Sequence, residues 1–265
     1  MRTPADIRAL VDKVTSFPTD QRERIYRKHF ANPNATIRFL CEVYGLDRKR
    51  VLDVCCHYGY HLIHFGEGSQ GIDGSPQYLK YASELGLSVQ WANIEEKLPE
   101  FDEPFDALFF SGTLEEILAP HVILMRFRNY LKPDGLLCLR VPTVPPAWFD
   151  RLMRIRMQPG YDADAHLYFF TPRLLKMVVQ RAGYDVVQTV SSGAWVNRWL
   201  RPMHNLLLPF APSTLIIARP RPNFVYPPIR AMRFLPNWAA DLAPYHQDYT
   251  PETDSTPMEM DRFQH

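Results

Sequence analysis

The stretch VLDVCCHYGYHLIHF, residues 51–65, predicts a short buried strand that runs into a turn and then a helix. Asp53 lies near the end of this strand, and Gly59 opens the helix. Twenty residues after Asp53, the sequence GIDGSP places Asp73 at the tip of a second strand. Ligands of open α/β sheets bind at the carboxyl ends of the strands, where an acid can accept both hydroxyls of a ribose. The spacing therefore predicts a site for a nucleoside-bearing cofactor.

Working outward from this segment, short apolar runs alternate with helical stretches, which predicts a mostly parallel sheet with helices on both faces. The apolar runs are Val51–Val54, Gln70–Ile72, Ser88–Trp91, Ala107–Phe110 and Leu136–Val141, and the helical stretches are Tyr60–Phe65, Pro76–Leu85, Ala119–Leu131 and Pro172–Ala182. Two more strands, Tyr184–Val190 and Ser213–Arg219, have little helix between them. We expect them to form an antiparallel pair at one edge of the sheet.

The charges of the 265-residue chain are balanced, with 30 Lys and Arg against 29 Asp and Glu. This balance argues against a generally basic nucleic-acid coat. The N-terminus is polar and lacks the apolar segment of a signal peptide, and the longest uncharged stretch contains prolines. We therefore expect a cytoplasmic protein without a transmembrane segment, whose four cysteines are free thiols that bind no metal.

Three regions flank or interrupt the sheet. Residues 1–35 are expected to form an N-terminal helical lid, and residues 36–219 the main domain, in which an insertion at 143–168 forms a cap. Residues 220–265 form a Pro-rich tail whose end is expected to be mobile. Aromatic residues in this tail could dock on a second copy of the chain or on a partner protein.

Six stretches resemble, in order, the motifs of class I S-adenosylmethionine-dependent methyltransferases. They are VLDVCCHYGY, GIDGSP, ANIEE, FDALFFSGTLEE, LKPDGLL and HLYFFTPRLLKMVVQRAGY. Each motif alone is weak, but their order and spacing over roughly residues 36–219 are specific. The resemblance implies a Rossmann-like sheet of seven strands with the last one antiparallel. It also implies that S-adenosylmethionine is the cofactor and S-adenosylhomocysteine the product.

The resemblance also implies a role for individual residues. Asp53 would lie at the methionine end of the cofactor, above a turn formed by Cys55, His57, Tyr58 and Gly59. Asp73 and Gly74 would hold the ribose, Asn93 and Ile94 would frame the adenine, and Ser111 would lie beside the methyl donor.

The turn departs from the usual pattern of the family. That pattern is Gly-Cys-Gly-x-Gly, whereas this chain has Cys55-Cys56-His57-Tyr58-Gly59. Glycine lets the backbone approach a ligand or adopt positive φ, and a side chain is unfavourable for both. Either His57 has a compatible backbone and lines the site, or it weakens cofactor binding.

For the reaction, we expect methyl transfer to a small-molecule or sugar (glycan) acceptor, most readily at oxygen, with His166 as the base that deprotonates it. A purely structural His166 is the competing interpretation, and Glu115 and His121 are weaker candidates. The basic side chains of Arg151, Arg154 and Arg156 either contact an anionic acceptor or form a solvated face.

Alternatives of other classes stay open. The fold could be a catalytically degenerate binding or scaffold subunit, or it could transfer the aminocarboxypropyl group of the same cofactor. A nucleic-acid acceptor is not expected, because the net charge is only +1 and no Asn-Pro-Pro-Tyr-type motif follows the fourth strand, although the basic segment Arg22–Lys28 keeps it open.

Overall fold

The computed structural model describes residues 1–31, 34–144, 166–191, 208 and 212–224. Residues 1–222 form a compact unit. Most of the predicted cap at 143–168, including its three arginines, and the tail after residue 224 lie outside the described residues. The proposed division into lid, main domain, cap and tail therefore stays a prediction.

Seven strands form one sheet with the order β3-β2-β1-β4-β5-β7-β6. The strands are β1 (Val51–Val54), β2 (Gln70–Asp73), β3 (Val89–Trp91), β4 (Phe105–Ser111), β5 (Leu131–Pro142), β6 (Tyr184–Ser191) and β7 (Ser213–Pro220). Strands β3, β2, β1, β4 and β5 pair in parallel, while β7 is antiparallel to both β5 and β6. The predicted Rossmann-like sheet with an antiparallel last strand is confirmed.

Among the described residues, six α-helices accompany the strands. They are α1 (Pro4–Val11), α2 (Thr19–Ile25), α3 (Ala35–Tyr44), α4 (Pro76–Glu84), α5 (Pro120–Phe127) and α6 (Pro172–Arg181). The side chains of Asn34 and Thr171 cap α3 and α6, and Gly45 ends α3 with a φ of 68°. None of the helices in the described part of the chain combines the length and the apolar character needed to cross a membrane.

The sequence was misleading about local structure at two places. The predicted helix at Tyr60–Phe65 contains only a 3₁₀ turn at Leu62–His64. The chain leaves the helical path because Gly66 passes directly against the backbone of Arg48 and Lys49, where its N–H donates to the Lys49 carbonyl. The segment Lys132-Pro133-Asp134-Gly135 has the composition of a turn, but it lies inside β5, opposite a register shift in β4.

Two apolar clusters fix the sheet between its helices. On one face, α3 packs against β1, β4, β5 and β7 through residues such as Leu40, Phe109 and Cys138. A second cluster joins the N-terminal helices to α4 through Phe30 and Tyr81. The burial of these side chains supplies most of the free energy that stabilises the folded chain. The second cluster also holds the N-terminal helices beside the carboxyl edge of the sheet.

Close packing at Gly71 of β2 leads to a stability prediction. A Cβ atom at Gly71 would stand 2.7 Å from Cys56 Sγ and 2.9 Å from Leu62 Cδ2. We therefore expect Gly71→Ala to reduce the free energy of unfolding in urea by about 1–3 kcal/mol. Gly74→Ala is the matched control, because a Cβ there would meet only the Ala92 carbonyl oxygen, at 3.8 Å. Equal stability of the two variants would contradict the observed packing.

Candidate active site

Two acids lie at the carboxyl edge of the sheet, one at the end of β1 and one at the end of β2. Asp53 is 1% exposed, and its Oδ2 has no hydrogen-bond partner among the described residues. Burial and the neighbouring Asp73 raise the pKa of Asp53 well above its ordinary value, although a hydrogen bond from the Leu62 backbone opposes this. An uncompensated carboxyl oxygen of this kind favours a ligand that brings positive charge or hydrogen-bond donors.

Asp73 ties the turn after β1 to the end of β2. Its Oδ2 accepts the His57 backbone N–H at 2.9 Å, and its Oδ1 accepts the Ser75 backbone N–H at 2.8 Å. Each carboxylate oxygen has a second lone pair, so both can still accept a hydroxyl from a ligand. Trp91, at the end of β3, adds a further tie to this region, because its Nε1–H donates to the Gly74 carbonyl at 2.9 Å.

The turn has a left-handed backbone at alternate positions, with φ of 58° at Cys55, 54° at His57 and 78° at Gly59. These are the positions of the three glycines in the usual pattern. Gly59 is needed for space as well, since an added Cβ would stand 2.4 Å from Leu87 Cδ1. Burial raises the pKa of the Cys55 thiol to about 12, so this thiol stays protonated.

Aromatic rings surround His57 and hold it in place. Its ring centroid lies 3.8 Å from that of Tyr78 on α4, 4.4 Å from that of Tyr58 and 5.2 Å from that of His29. Burial, together with the charges of His29 and Lys28, lowers the pKa of His57 to about 4, so the imidazole is neutral at pH 7. His57 therefore has a backbone compatible with the turn, while its contact with a cofactor stays a prediction.

The predicted adenine site follows β3. Ile94 is buried, and its carbonyl accepts a hydrogen bond from Arg126 at 3.2 Å. The side-chain oxygen of Asn93 accepts the Glu95 backbone N–H at 3.2 Å. Arg126 thus fixes the segment that carries both predicted residues.

The opposite side of the site lies where β4 and β5 end. Glu115, in the 3₁₀ turn after β4, is 2% exposed, and its Oε2 has no hydrogen-bond partner among the described residues. Burial raises the pKa of Glu115 to about 7. Its carbonyl accepts the backbone N–H groups of Leu167 and Tyr168 at 2.8 and 3.0 Å. These bonds bring the half-buried His166 to the same end of β4, next to the turn that begins at Ser111.

Sequence reasoning missed Arg140, a half-buried residue paired with Ser111 across the ends of β5 and β4. Its Nη1 donates to Ser111 Oγ at 3.2 Å. The available signal was the segment LLCLRVP, in which a cation interrupts a strand that is otherwise apolar. His121 lies outside this group of residues. It is on α5, and its pKa is lowered by burial and by the nearby charge of Arg181 on α6.

The left-handed backbone at His57 can be tested through stability. We expect His57→Gly to be about 1 kcal/mol more stable in urea unfolding than His57→Ala, since both lose the ring contacts but only alanine keeps the left-handed strain. Gln77, exposed on α4, provides the control pair, where alanine should be the more stable residue. If the glycine and alanine variants had the same order of stability at both positions, this would argue against a left-handed backbone at residue 57.

The sequence is similar to those of several known enzymes. The chain is 31% identical over 171 residues to a tRNA U34 carboxymethyltransferase of Aeromonas hydrophila, which covers 58% of this chain and 50% of that protein. It is 29% identical over 113 residues to a ubiquinone biosynthesis O-methyltransferase of Maricaulis maris, covering 37% of this chain and 44% of the relative. The chain thus spans about half the length of the curated relatives it matches.

Solved structures share the fold at low sequence identity. A putative methyltransferase in complex with the Trm112 activator of Haloferax volcanii has a TM-score of 0.54 at 16% identity, covering 83% of this chain and 99% of that one. The CcbJ methyltransferase of Streptomyces caelestis has a TM-score of 0.53 at 14% identity, covering 80% and 96%.

The sequence model of the family described as a methyltransferase domain matches residues 26–189, more than half of the chain. This range runs from the N-terminal helices through the turn after β1, both acids and the end of β4 to strand β6. The chain belongs to the class I S-adenosylmethionine-dependent methyltransferases.

Proposed function

We propose that this S-adenosylmethionine-dependent methyltransferase methylates an oxygen atom of a small-molecule or sugar acceptor. The observation that carries the proposal is Glu115, a buried carboxyl with an unpartnered oxygen at the end of β4. A hydroxyl acceptor must lose a proton as its oxygen becomes bonded to carbon, and a base with a pKa near 7 is suited to receive it. The similarity to an O-methyltransferase supports the same acceptor atom.

The residues at the other side of the site fit the cofactor. Asp53 offers an unpartnered buried oxygen to its positive charge, and Asp73 offers free lone pairs to its ribose hydroxyls. Asn93 and Ile94 would frame the adenine, and Ser111 would lie beside the methyl donor. When bound, S-adenosylmethionine supplies a methyl group already activated by the sulfonium charge. The work left to the protein is to align the acceptor, exclude water and take the proton.

Two side chains compete for the role of base. His166 is the residue that the sequence predicts, and its segment is anchored to the Glu115 carbonyl. Glu115 is the stronger candidate, because its carboxyl is buried beside the end of β4, where the donor would lie. We therefore assign proton acceptance to Glu115 and substrate positioning to His166.

A second candidate function is carboxymethyl transfer to a tRNA uridine. It is favoured by the similarity to several tRNA U34 carboxymethyltransferases, which are 27–32% identical over the matched parts. The balanced charge of the chain and its match to only half of those proteins make it the second choice. Carboxymethyl transfer needs a donor that carries the carboxymethyl group on its sulfonium sulfur, which S-adenosylmethionine does not. Incubating a library of hydroxylated small molecules with radiolabelled S-adenosylmethionine, and total tRNA with the radiolabelled S-carboxymethyl analogue of that donor, distinguishes the two. Label in tRNA alone would overturn the small-molecule proposal.

The cofactor assignment is tested by calorimetric titration with S-adenosylmethionine and S-adenosylhomocysteine. We expect micromolar binding, weakened at least about tenfold in Asp73→Asn because ribose hydroxyls lose a charged acceptor. Asp185→Asn is the control. Asp185 is on β6 at the far edge of the sheet, where its exposed side chain pairs with Arg221. No binding of either ligand to the wild type would contradict the proposal and favour the binding-subunit alternative.

The base assignment predicts a pH dependence once an acceptor is found. Glu115 must be ionised to take a proton, so kcat/KM should rise as the pH increases through about 7 and level off above it. Glu115→Gln should lower kcat by about 100-fold or more and remove this rise. Glu116→Gln, at the exposed neighbouring position, should keep both kcat and the rise, with the rise displaced to lower pH because the charge of Glu116 helps to raise the pKa of Glu115. A profile that keeps its rise in Glu115→Gln but loses it in His166→Gln would transfer the role to His166.

A further inference from the structure

A cavity lies at one edge of the sheet, beside β6 and the first turns of α6. Its volume is about 550 Å³, which is within the range of pockets that hold small molecules. Four consecutive residues of β6, Val186–Thr189, line it, and β6 ends the strand order of the sheet. Since successive side chains of a strand point to opposite faces, a cavity that all four line extends around the edge of the sheet. None of its described lining residues belongs to the candidate active site, so it is a separate feature of the molecule.

An irregularity of β6 gives the cavity an apolar wall. The pairing of β6 with β7 shifts register between Val186 and Gln188, so Val187 is an extra residue without a partner on β7. A bulge of this kind turns a side chain out of the regular ladder. Val187 is accordingly 53% exposed, although its side chain is apolar. Val187 and the half-buried Val186 therefore offer apolar surface to a ligand that can cover it.

Two cations line the same cavity from α6. Arg173 and Lys176 are three residues apart, so their side chains lie next to each other on the helix. Both are exposed, and neither side chain forms a hydrogen bond or an ion pair within the described part of the chain. The described lining also contains no Asp or Glu. The cavity therefore carries positive charge that its described lining does not neutralise, which favours an anionic ligand.

This excess of positive charge is not shared by the other basic cavity of the described surface. That cavity lies along α2, where Asp20 and Glu23 line it together with the basic side chains. Glu23 Oε1 accepts a hydrogen bond from Arg27 Nε at 2.7 Å. Cations that already have acidic partners gain little from an added anion, so the cavity at β6 is the better anion site.

Neutral hydrogen-bond donors complete the lining at β6. The Tyr44 hydroxyl, at the end of α3, donates to Gln188 Oε1 at 2.5 Å, which fixes the Gln188 side chain. Gln188 can then offer a ligand its amide N–H groups, and Thr189 can offer its hydroxyl. Cations and neutral donors beside apolar side chains suit a molecule that has an oxyanion at one end and a hydrocarbon chain at the other.

We propose that this cavity binds a small amphipathic anion. Its carboxylate or phosphate headgroup contacts Arg173 and Lys176, and its hydrocarbon chain covers Val186 and Val187. A neutral molecule of the same shape would leave the cations without a partner, and an inorganic anion would leave the valines exposed to water. The ligand therefore needs both parts. Because the cavity shares no described residue with the candidate active site, this ligand is distinct from the cofactor and the acceptor of the proposed methyl transfer.

Calorimetric titration of the whole chain with amphiphiles of one chain length tests the site. Sodium octanoate and octyl phosphate carry the two headgroups on the same hydrocarbon chain, and 1-octanol is their neutral counterpart. At least one of the two anions should bind to a single site, at least about tenfold more tightly than 1-octanol. The tighter of the two anions identifies the headgroup.

Variants of the lining separate the contributions of charge and apolar contact. Arg173→Gln combined with Lys176→Gln should weaken binding of the anion by at least about tenfold and leave binding of 1-octanol unchanged. Val187→Ser should weaken binding of the anion and of 1-octanol by the same factor, because it removes apolar contact alone. Lys80→Gln combined with Lys97→Gln is the control and should bind as the wild type, since it removes the same charge from exposed positions on α4 and after β3.

Two measurements guard against misfolding of the variants. Because the substituted side chains at 173, 176 and 187 are exposed, the variants should keep the urea midpoint of the wild type. In the wild type, the bound anion should shift the backbone amide resonances of Val187 and Gln188 until the site is saturated. The amide resonance of Trp91, on β3 at the opposite edge of the sheet, should not move.

The proposal has clear contrary outcomes. It would be overturned if neither anion bound at millimolar concentrations, or if the wild type and the variant that lacks both cations bound the anions equally. None of these measurements requires S-adenosylhomocysteine to bind, so a failure of the proposed function would leave this test intact.

Discussion

The two hydrogen bonds accepted by Asp73 are the constraint on which the site depends. One oxygen of the carboxylate holds the backbone of His57, and the other holds the backbone of Ser75 at the start of α4. The turn after β1 and the helix after β2 are thereby fixed to the same strand end. Backbone groups that are fixed in this way do not have to reorganise when a ligand binds, which is the main requirement of a preorganised site.

This constraint explains how the turn tolerates side chains at positions where glycine is usual. Cys55 and His57 both have positive φ, which disfavours each of them by about 1–2 kcal/mol relative to glycine. The packing of the His57 ring against Tyr78 and Tyr58, with His29 from the N-terminal region beside it, offsets part of this strain. The N-terminal helices therefore take part in shaping the site, since they supply one wall of the ring cluster.

Carboxyl groups lie on both sides of the site in a way that suits methyl transfer. Asp53 and Asp73 place carboxyl oxygens where a sulfonium cofactor with ribose hydroxyls would lie. Glu115 lies at the end of β4, where a hydroxyl acceptor would need a base. Because Glu115 is buried, its charged form is unfavourable, and the carboxyl is poised between its two protonation states near neutral pH.

The sequence by itself determined the order of strands and helices, because apolar runs, caps and glycine stops are local signals. It also predicted which acids lie at the ends of β1 and β2, because each acid lies at the end of an apolar run that predicts a strand. It failed at Tyr60–Phe65, where the close passage of Gly66 against Lys49 breaks a helical pattern. Only the tertiary structure decided that Glu115 is buried, that the segment of His166 is anchored to the Glu115 carbonyl and that Arg140 donates a hydrogen bond to Ser111. These relations join residues far apart in the chain, and burial and charge depend on such neighbours, which no local pattern encodes.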